Sequence, residues 1–276
     1  MNVGIVGLGL IGGSLAKAYS EDGHKIYAYD KDEAILGFAQ LSGAVAGVLN
    51  KQSLKECELL FIAINPGDAL AYMEKTAPSI SQNTIVIDCC GVKRKICEKC
   101  FELAKKYGFT FIGGHPMAGS HNAGFKNSRS NLFKGAAMIL IPPVYDNPAL
   151  FGRIEEVLKP AGFGNLTITT SQKHDEMIAF SSQMAHIVSN AYVKSPTARG
   201  HKGFSAGSYK DLTRVARLNP DMWAELCMDN NDNLIKELDG FIESLKQYRE
   251  ALSKEDQAKL RELLEEGSLI KHDLDH

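Results

Sequence analysis

With 276 residues, 44% of them hydrophobic and 23% charged, the chain is long enough for two domains and apolar enough to bury a core in each. A formal net charge of −2 gives no electrostatic case for nucleic acid or an anionic membrane surface as a partner. No run reaches the roughly 18–20 apolar residues that a membrane span needs, and "MNVGIVGLGLIGG" opens a strand with no basic leader, so a cytoplasmic location is expected.

The first predicted strand, 2–7, runs into Gly7-x-Gly9-x-x-Gly12 with Gly13 next. A glycine pattern placed between a strand and a helix suits a dinucleotide: it allows a tight turn, close approach of the backbone to a pyrophosphate and close helix–strand packing. The first helical turn, with Leu10 and Ile11, then offers unpaired amides and a partial positive charge to the phosphates. The second strand, 25–30, ends at Asp30, where a carboxylate can accept from a ribose 2′-hydroxyl and repel a 2′-phosphate. NAD is therefore favoured over NADP, although the adjacent Lys31 softens the preference.

Further strands are predicted at 59–64, 84–90, 109–114, 137–142 and 165–170, several of them continuously apolar as parallel strands covered on both faces are. "GSLAKAYSEDG", "DEAILGFAQLSG" and "VKRKICEKCFELAKKYG" read as crossover helices. The last carries Cys97 and Cys100, but no second Cys or His pair completes a zinc set, so the six cysteines are expected to be unpaired structural thiols. After about residue 170 the pattern is helical throughout. The expected fold is α/β: a Rossmann-type, doubly wound, mostly parallel sheet over residues 1–168, followed by an all-helical domain over 169–276.

Ligands of open α/β sheets gather at the carboxyl ends of the strands, and there this sequence turns polar. The expected cofactor contacts include Asn65 and Pro66 after one strand, and Asp88 and Gly91 after the next. The strand at 109–114 runs into His115-Pro116, which places a histidine near the nicotinamide. Hydride removal from an alcohol needs a base for the hydroxyl proton, and neutral histidine suits that role near pH 7. In the helical half, His174-Asp175 is expected to cap a helix, and Ser182 and His186 share a face. Arg214 and Arg217 are each either a carboxylate clamp or half of a surface ion pair.

At "GIVGLGLIGGSLA", "GGHPMAGS", "HDEMIAFSSQMAH" and "YKDLTRVARLNPDMW" the chain resembles the prephenate/arogenate dehydrogenase family of tyrosine biosynthesis. The resemblance implies NAD-dependent oxidative decarboxylation of a cyclohexadienol, prephenate or arogenate, with His115 as the base for the C4 hydroxyl. It implies Arg214 as the binder of a substrate carboxylate. His186, Ser120, Gly207 and Trp223 are implied as further substrate contacts, the tryptophan able to come from a partner subunit. A homodimer through the helical domain is implied as well, and no metal. Three positions depart from the family pattern. Gly91 stands where a serine often bonds the catalytic histidine, Gln183 where a histidine is common, and His121 in place of a glutamate. Asp88, Ser120, a backbone group or water is then expected to orient His115. Two other readings stay open. One is a β-hydroxyacid-type dehydrogenase using Lys173, Lys194 or Lys210, and the other is a catalytically silent NAD sensor.

Overall fold

The computed structural model of the protein describes residues 1–119 and 122–275. Eight strands form one sheet in the order β3-β2-β1-β4-β5-β6-β7-β8. They are β1 (Asn2–Val6), β2 (Lys25–Tyr29), β3 (Gly47–Val48), β4 (Leu59–Ile62), β5 (Ile85–Asp88), β6 (Thr110–Pro116), β7 (Ala137–Ile141) and β8 (Asn165–Ile168). All neighbours pair in parallel except β6 and β7, which are antiparallel with Gly114 opposite Leu140 and His115 opposite Ile139. The chain reverses direction at β1, where β2 and β4 lie on opposite sides, so β1 and β4 flank the crevice in which such sheets bind ligands.

The apolar runs are continuous because both faces are covered. Leu59 and Phe61 of β4 enter one core with Val3, Ile5 and Ile87, while Leu60 and Ile62 enter the other with Val6, Val86 and Phe111. The helices that cover the sheet are α1 (Leu10–Glu21), α2 (Glu33–Leu41), α3 (Lys51–Glu56), α4 (Pro66–Thr76), α5 (Arg94–Tyr107) and α6 (Pro148–Leu158). Cys97 and Cys100 lie on the buried side of α5, and burial pushes both thiols well above the ordinary range. They are packing residues.

From Ser171 onward the chain is helical: α7 (Ser171–Ile178), α8 (Ala185–Tyr192), α9 (Gly207–Thr213), α10 (Pro220–Asp229), α11 (Asn231–Ser253) and α12 (Gln257–Leu274). A π-helical turn, Ala179–Met184, joins α7 to α8 without a break. The cap of α7 is Thr170, whose hydroxyl accepts from Lys173 N–H, and not the His174-Asp175 pair. Ile235, Ile242, Leu245 and Leu252 on α11, with Leu264, Leu269 and Ile270 on α12, are large apolar side chains left exposed. No helix among the described residues is long and apolar enough to cross a membrane.

Candidate active site

The glycine loop meets each physical demand of a dinucleotide site. Gly7 has φ of 89°, in the left-handed region that favours glycine, and its N–H donates to Tyr29 O at 2.7 Å. A Cβ on Gly12 would lie 1.8 Å from Gly7 O, so only glycine lets α1 start this close to β1. A Cβ on Gly9 would meet nothing within 4 Å, which leaves open space where a phosphate would approach. Gly9 caps α1 with no side-chain hydrogen bond, and the amides of Leu10 and Ile11 lack intrahelical partners by the geometry of a helix start. Gly13 serves packing instead, since a Cβ there would strike Phe125 and Ser128, which lie across α1.

At the end of β2, Asp30 is held by two amides: Leu8 N–H donates to Oδ2 at 2.7 Å and Asp32 N–H to Oδ1 at 2.9 Å. Each oxygen keeps a lone pair for a ribose hydroxyl. Asn65 and Pro66 open α4 without a side-chain cap, and Glu225 of α10 reaches across to accept from Gly67 N–H. The same helix closes over Gly91, where a Cβ would come within 3.3 Å of Leu226. A serine at 91 would press on that leucine.

Asp88 is corrected by the structure. Its side chain is 0% exposed and is bound by protein groups on both oxygens, so it does not face a cofactor. Oδ1 accepts from Gly114 N–H at 3.0 Å, and Oδ2 from Cys90 N–H at 3.0 Å and from the Lys93 ammonium.

What orients His115 is a residue from the other half of the chain. His115 Nδ1 lies 2.9 Å from His174 Nε2, and His174 Nδ1 lies 2.7 Å from Asp175 Oδ1. The Asp175 carboxylate can only accept, so His174 Nδ1 carries a proton and its Nε2, in the neutral ring, accepts from His115 Nδ1–H. His115 Nε2 is thereby left with a lone pair. Burial, with His174 and Lys93 adding to it, lowers the His115 pKa well below 6.5, so the ring is neutral at pH 7. Burial pushes the Asp175 carboxyl up, but the bonds from His174 and from the amides of Arg94 and Lys93 outweigh it and hold it below the usual range. Those amides, at 3.0 and 2.7 Å, make Asp175 the cap of α5, which has no side-chain cap of its own. The sequence placed a partner of His115 at Asp88, Ser120, the backbone or water; it is His174. Ser120 and His121 lie outside the described residues.

In the helical half, His186 Nδ1 lies 2.9 Å from Ser182 O, and its ring stacks on Trp223 of the same chain, centroids 4.0 Å apart. Gln183 is buried and structural: its amide donates to Leu226 O and accepts from Asn230, which in turn donates to Asp175 O. Gly207 begins α9, whose first turn has no side-chain cap, and Arg214 ends it with an exposed side chain. Among the described residues no carboxylate pairs with Arg214 or Arg217. Lys173 is exposed on α7 and paired with Glu176 at 2.9 Å.

The family description "Prephenate dehydrogenase, nucleotide-binding domain" matches residues 15–164, and "Prephenate dehydrogenase, dimerization domain" matches residues 170–266. Over 267 residues the chain is 28% identical to prephenate dehydrogenase of Bacillus subtilis, spanning 91% of this chain and 70% of that one. The crystal structure of Synechocystis arogenate dehydrogenase superposes with a TM-score of 0.82 at 27% identity, covering 99% of this chain and 100% of the other. Prephenate dehydrogenase from A. aeolicus, solved with hydroxyphenyl propionate and NAD+, gives a TM-score of 0.81 at 27% identity, covering 99% and 98%. Two matched domains in the expected order, together spanning most of the sequence, place the chain in the prephenate dehydrogenase family.

Proposed function

We propose that the protein oxidises and decarboxylates prephenate to 4-hydroxyphenylpyruvate with NAD+, and that arogenate is the alternative substrate. One observation carries this reading: the Asp175–His174–His115 chain leaves a neutral imidazole with a basic Nε2 at a strand end of a nucleotide-binding sheet. The C4 hydroxyl of the substrate donates to His115 Nε2, which takes its proton as hydride leaves C4. Bound NAD+ supplies the acceptor of that hydride. The ring carboxylate then departs as carbon dioxide, and its bonding electrons complete the aromatic ring and leave a phenolate. His115 returns the proton to the phenolate oxygen, so prephenate and NAD+ become 4-hydroxyphenylpyruvate, carbon dioxide and NADH with no net proton released.

Gly7, Gly9, Leu10, Ile11 and Gly12 hold the pyrophosphate and Asp30 the adenosine ribose. Asn65, Pro66 and Gly91 border the nicotinamide end. Arg214 receives a substrate carboxylate, with Ser120, His186, Gly207 and Trp223 as further substrate contacts. The division between the two domains falls near residue 168, and the exposed apolar rows of α11 and α12 meet a second copy of the chain in a homodimer. Arogenate stays in view because one structural relative is an arogenate dehydrogenase and another a prephenate dehydrogenase, at equal identity. The test is a side-by-side assay of prephenate and arogenate with NAD+, following NADH and the aromatic product. No NADH with either substrate rejects the proposal.

Two variants probe the binding roles. Arg214→Gln is expected to raise KM roughly 10–100-fold and to change kcat less, the loss of one charge-assisted fork. An unchanged KM in steady-state kinetics removes Arg214 from the site. Asp30→Ser is expected to raise the KM for NAD+ about 10-fold or more and to narrow the gap to NADP+, because an acceptor of the ribose hydroxyls and a source of repulsion both disappear. The measurement is kcat/KM for each cofactor, and an unaltered ratio contradicts the assignment.

A further inference from the structure

The pair Lys93 and Asp88 has no part in the mechanism above, yet both side chains are 0% exposed. Placing a charged pair in a protein interior is costly unless its geometry returns something specific. The Lys93 ammonium donates to Asp88 Oδ2 and, at 2.6 Å, to Gly114 O. Asp88 Oδ1 accepts from Gly114 N–H. Both peptide groups of the residue before His115 are therefore held by this pair, beyond the point where β6 stops pairing with β5 at Ile87 and Ile112. At its other end Lys93 donates its backbone N–H to Asp175 Oδ1, the oxygen that also holds His174 Nδ1.

We infer that Lys93 is a positioning residue for His115: its ammonium fixes the strand end that carries the ring, and its amide fixes the carboxylate that sets the ring's tautomer. The inference rests on the reading of His115 as the base. The ionisable groups around that ring are His174 and Asp175 from α7, Lys93 ahead of α5 and Asp88 at the end of β5, with Arg94 behind Asp175. The Lys93 cation stays charged, held by Asp88 against the burial that opposes it, and it lowers the proton affinity of both His115 and His174. It thus disfavours the imidazolium that would have no lone pair to offer.

The experiment uses the full-length protein carrying Lys93→Met, with the Lys93→Met/Asp88→Asn double variant in parallel because a lone buried carboxylate can prevent folding. In Lys93→Met, kcat is expected to fall about 10-fold or more with a smaller change in KM, since the hydroxyl acceptor is displaced. The acid limb of kcat/KM is expected to move up by about one pH unit, because a cation leaves and an anion is exposed to His115. In the double variant both charges are gone, so the limb returns toward the wild-type position while kcat stays low. The 15N ring resonances of His115, recorded without substrate or cofactor, report the state directly. The wild type should show protonated Nδ1 and unprotonated Nε2, and the variants a mixture. This readout does not depend on which reaction the protein catalyses, so a failed assay of prephenate and arogenate leaves it intact. A folded single or double variant with wild-type ring resonances and wild-type kcat overturns the inference. So does a drop in thermal stability with the pH profile of Lys93→Met unmoved.

Discussion

His115→Asn is expected to lower kcat by about 10²–10⁴-fold, the range a positioned acid–base group supplies, with a much smaller change in KM for either substrate. Asparagine can still accept a hydrogen bond from the substrate hydroxyl, so binding survives. It cannot take the proton, and hydride departure would then leave a protonated carbonyl in a buried site. With His115 as the proposed base, the wild-type pH profile is expected to follow from its lowered pKa: the ring is neutral through the physiological range, and activity is lost only as pH falls below the ordinary imidazole value of 6.5. Steady-state kinetics across pH with the two proteins checks both statements. A variant with wild-type kcat would move the proton-transfer role elsewhere.

Asp175→Asn is expected to damage activity and stability together. The carboxylate accepts from His174, from the amides of Lys93 and Arg94 and from the Arg94 side chain at 3.2 Å. An amide in its place must point its NH₂ at one pair of these donors. Opening such a buried network costs roughly 3–5 kcal/mol. That corresponds to a fall in Tm of about 6–20 °C for a chain of this size. The kinetic loss has a separate origin. His174 no longer has a fixed tautomer, and neither does His115; loss of the carboxylate behind a catalytic imidazole costs up to about 10⁴ in kcat in a well-studied triad. His174→Gln separates the two effects. It leaves the amide contacts of Asp175 in place, so kcat should fall with little change in Tm. Thermal unfolding by circular dichroism, measured beside the assay, decides the matter, and equal Tm losses in both variants contradict the account.

The central strands β1, β4 and β5 were legible because two buried faces impose unbroken apolar runs, and the glycine loop because a Cβ at Gly7 or Gly12 would run into backbone. β3 was not legible: it is two residues, Gly47 and Val48, whose place comes from pairing with Tyr27 and Ala28. The role proposed for His115 was readable from its position at a strand end. Its partner was not, because His174-Asp175 read locally as the polar start of a helix. That pair is buried because the start of α5, about 80 residues earlier in the chain, packs against it together with His115 and Asn230. Asp88 was misassigned for a related reason. A carboxylate at a strand end serves a ligand or a buried cation, and Lys93 five residues on decides the case. The glycine at 91 looked like a lost serine until α10 placed Leu226 over it.

The π-helical turn at Ala179–Met184 settles a question of phase. Twelve residues separate His174 from His186, which in an unbroken α-helix would set their directions about 120° apart around the axis. A π turn takes up about one residue more than an α turn, which reduces that difference to about 20°. The histidine bound to His115 and the histidine stacked on Trp223 thus emerge on one side of a single continuous rod. The helical half therefore presents both imidazoles along one side, one bound to His115 and the other stacked on Trp223.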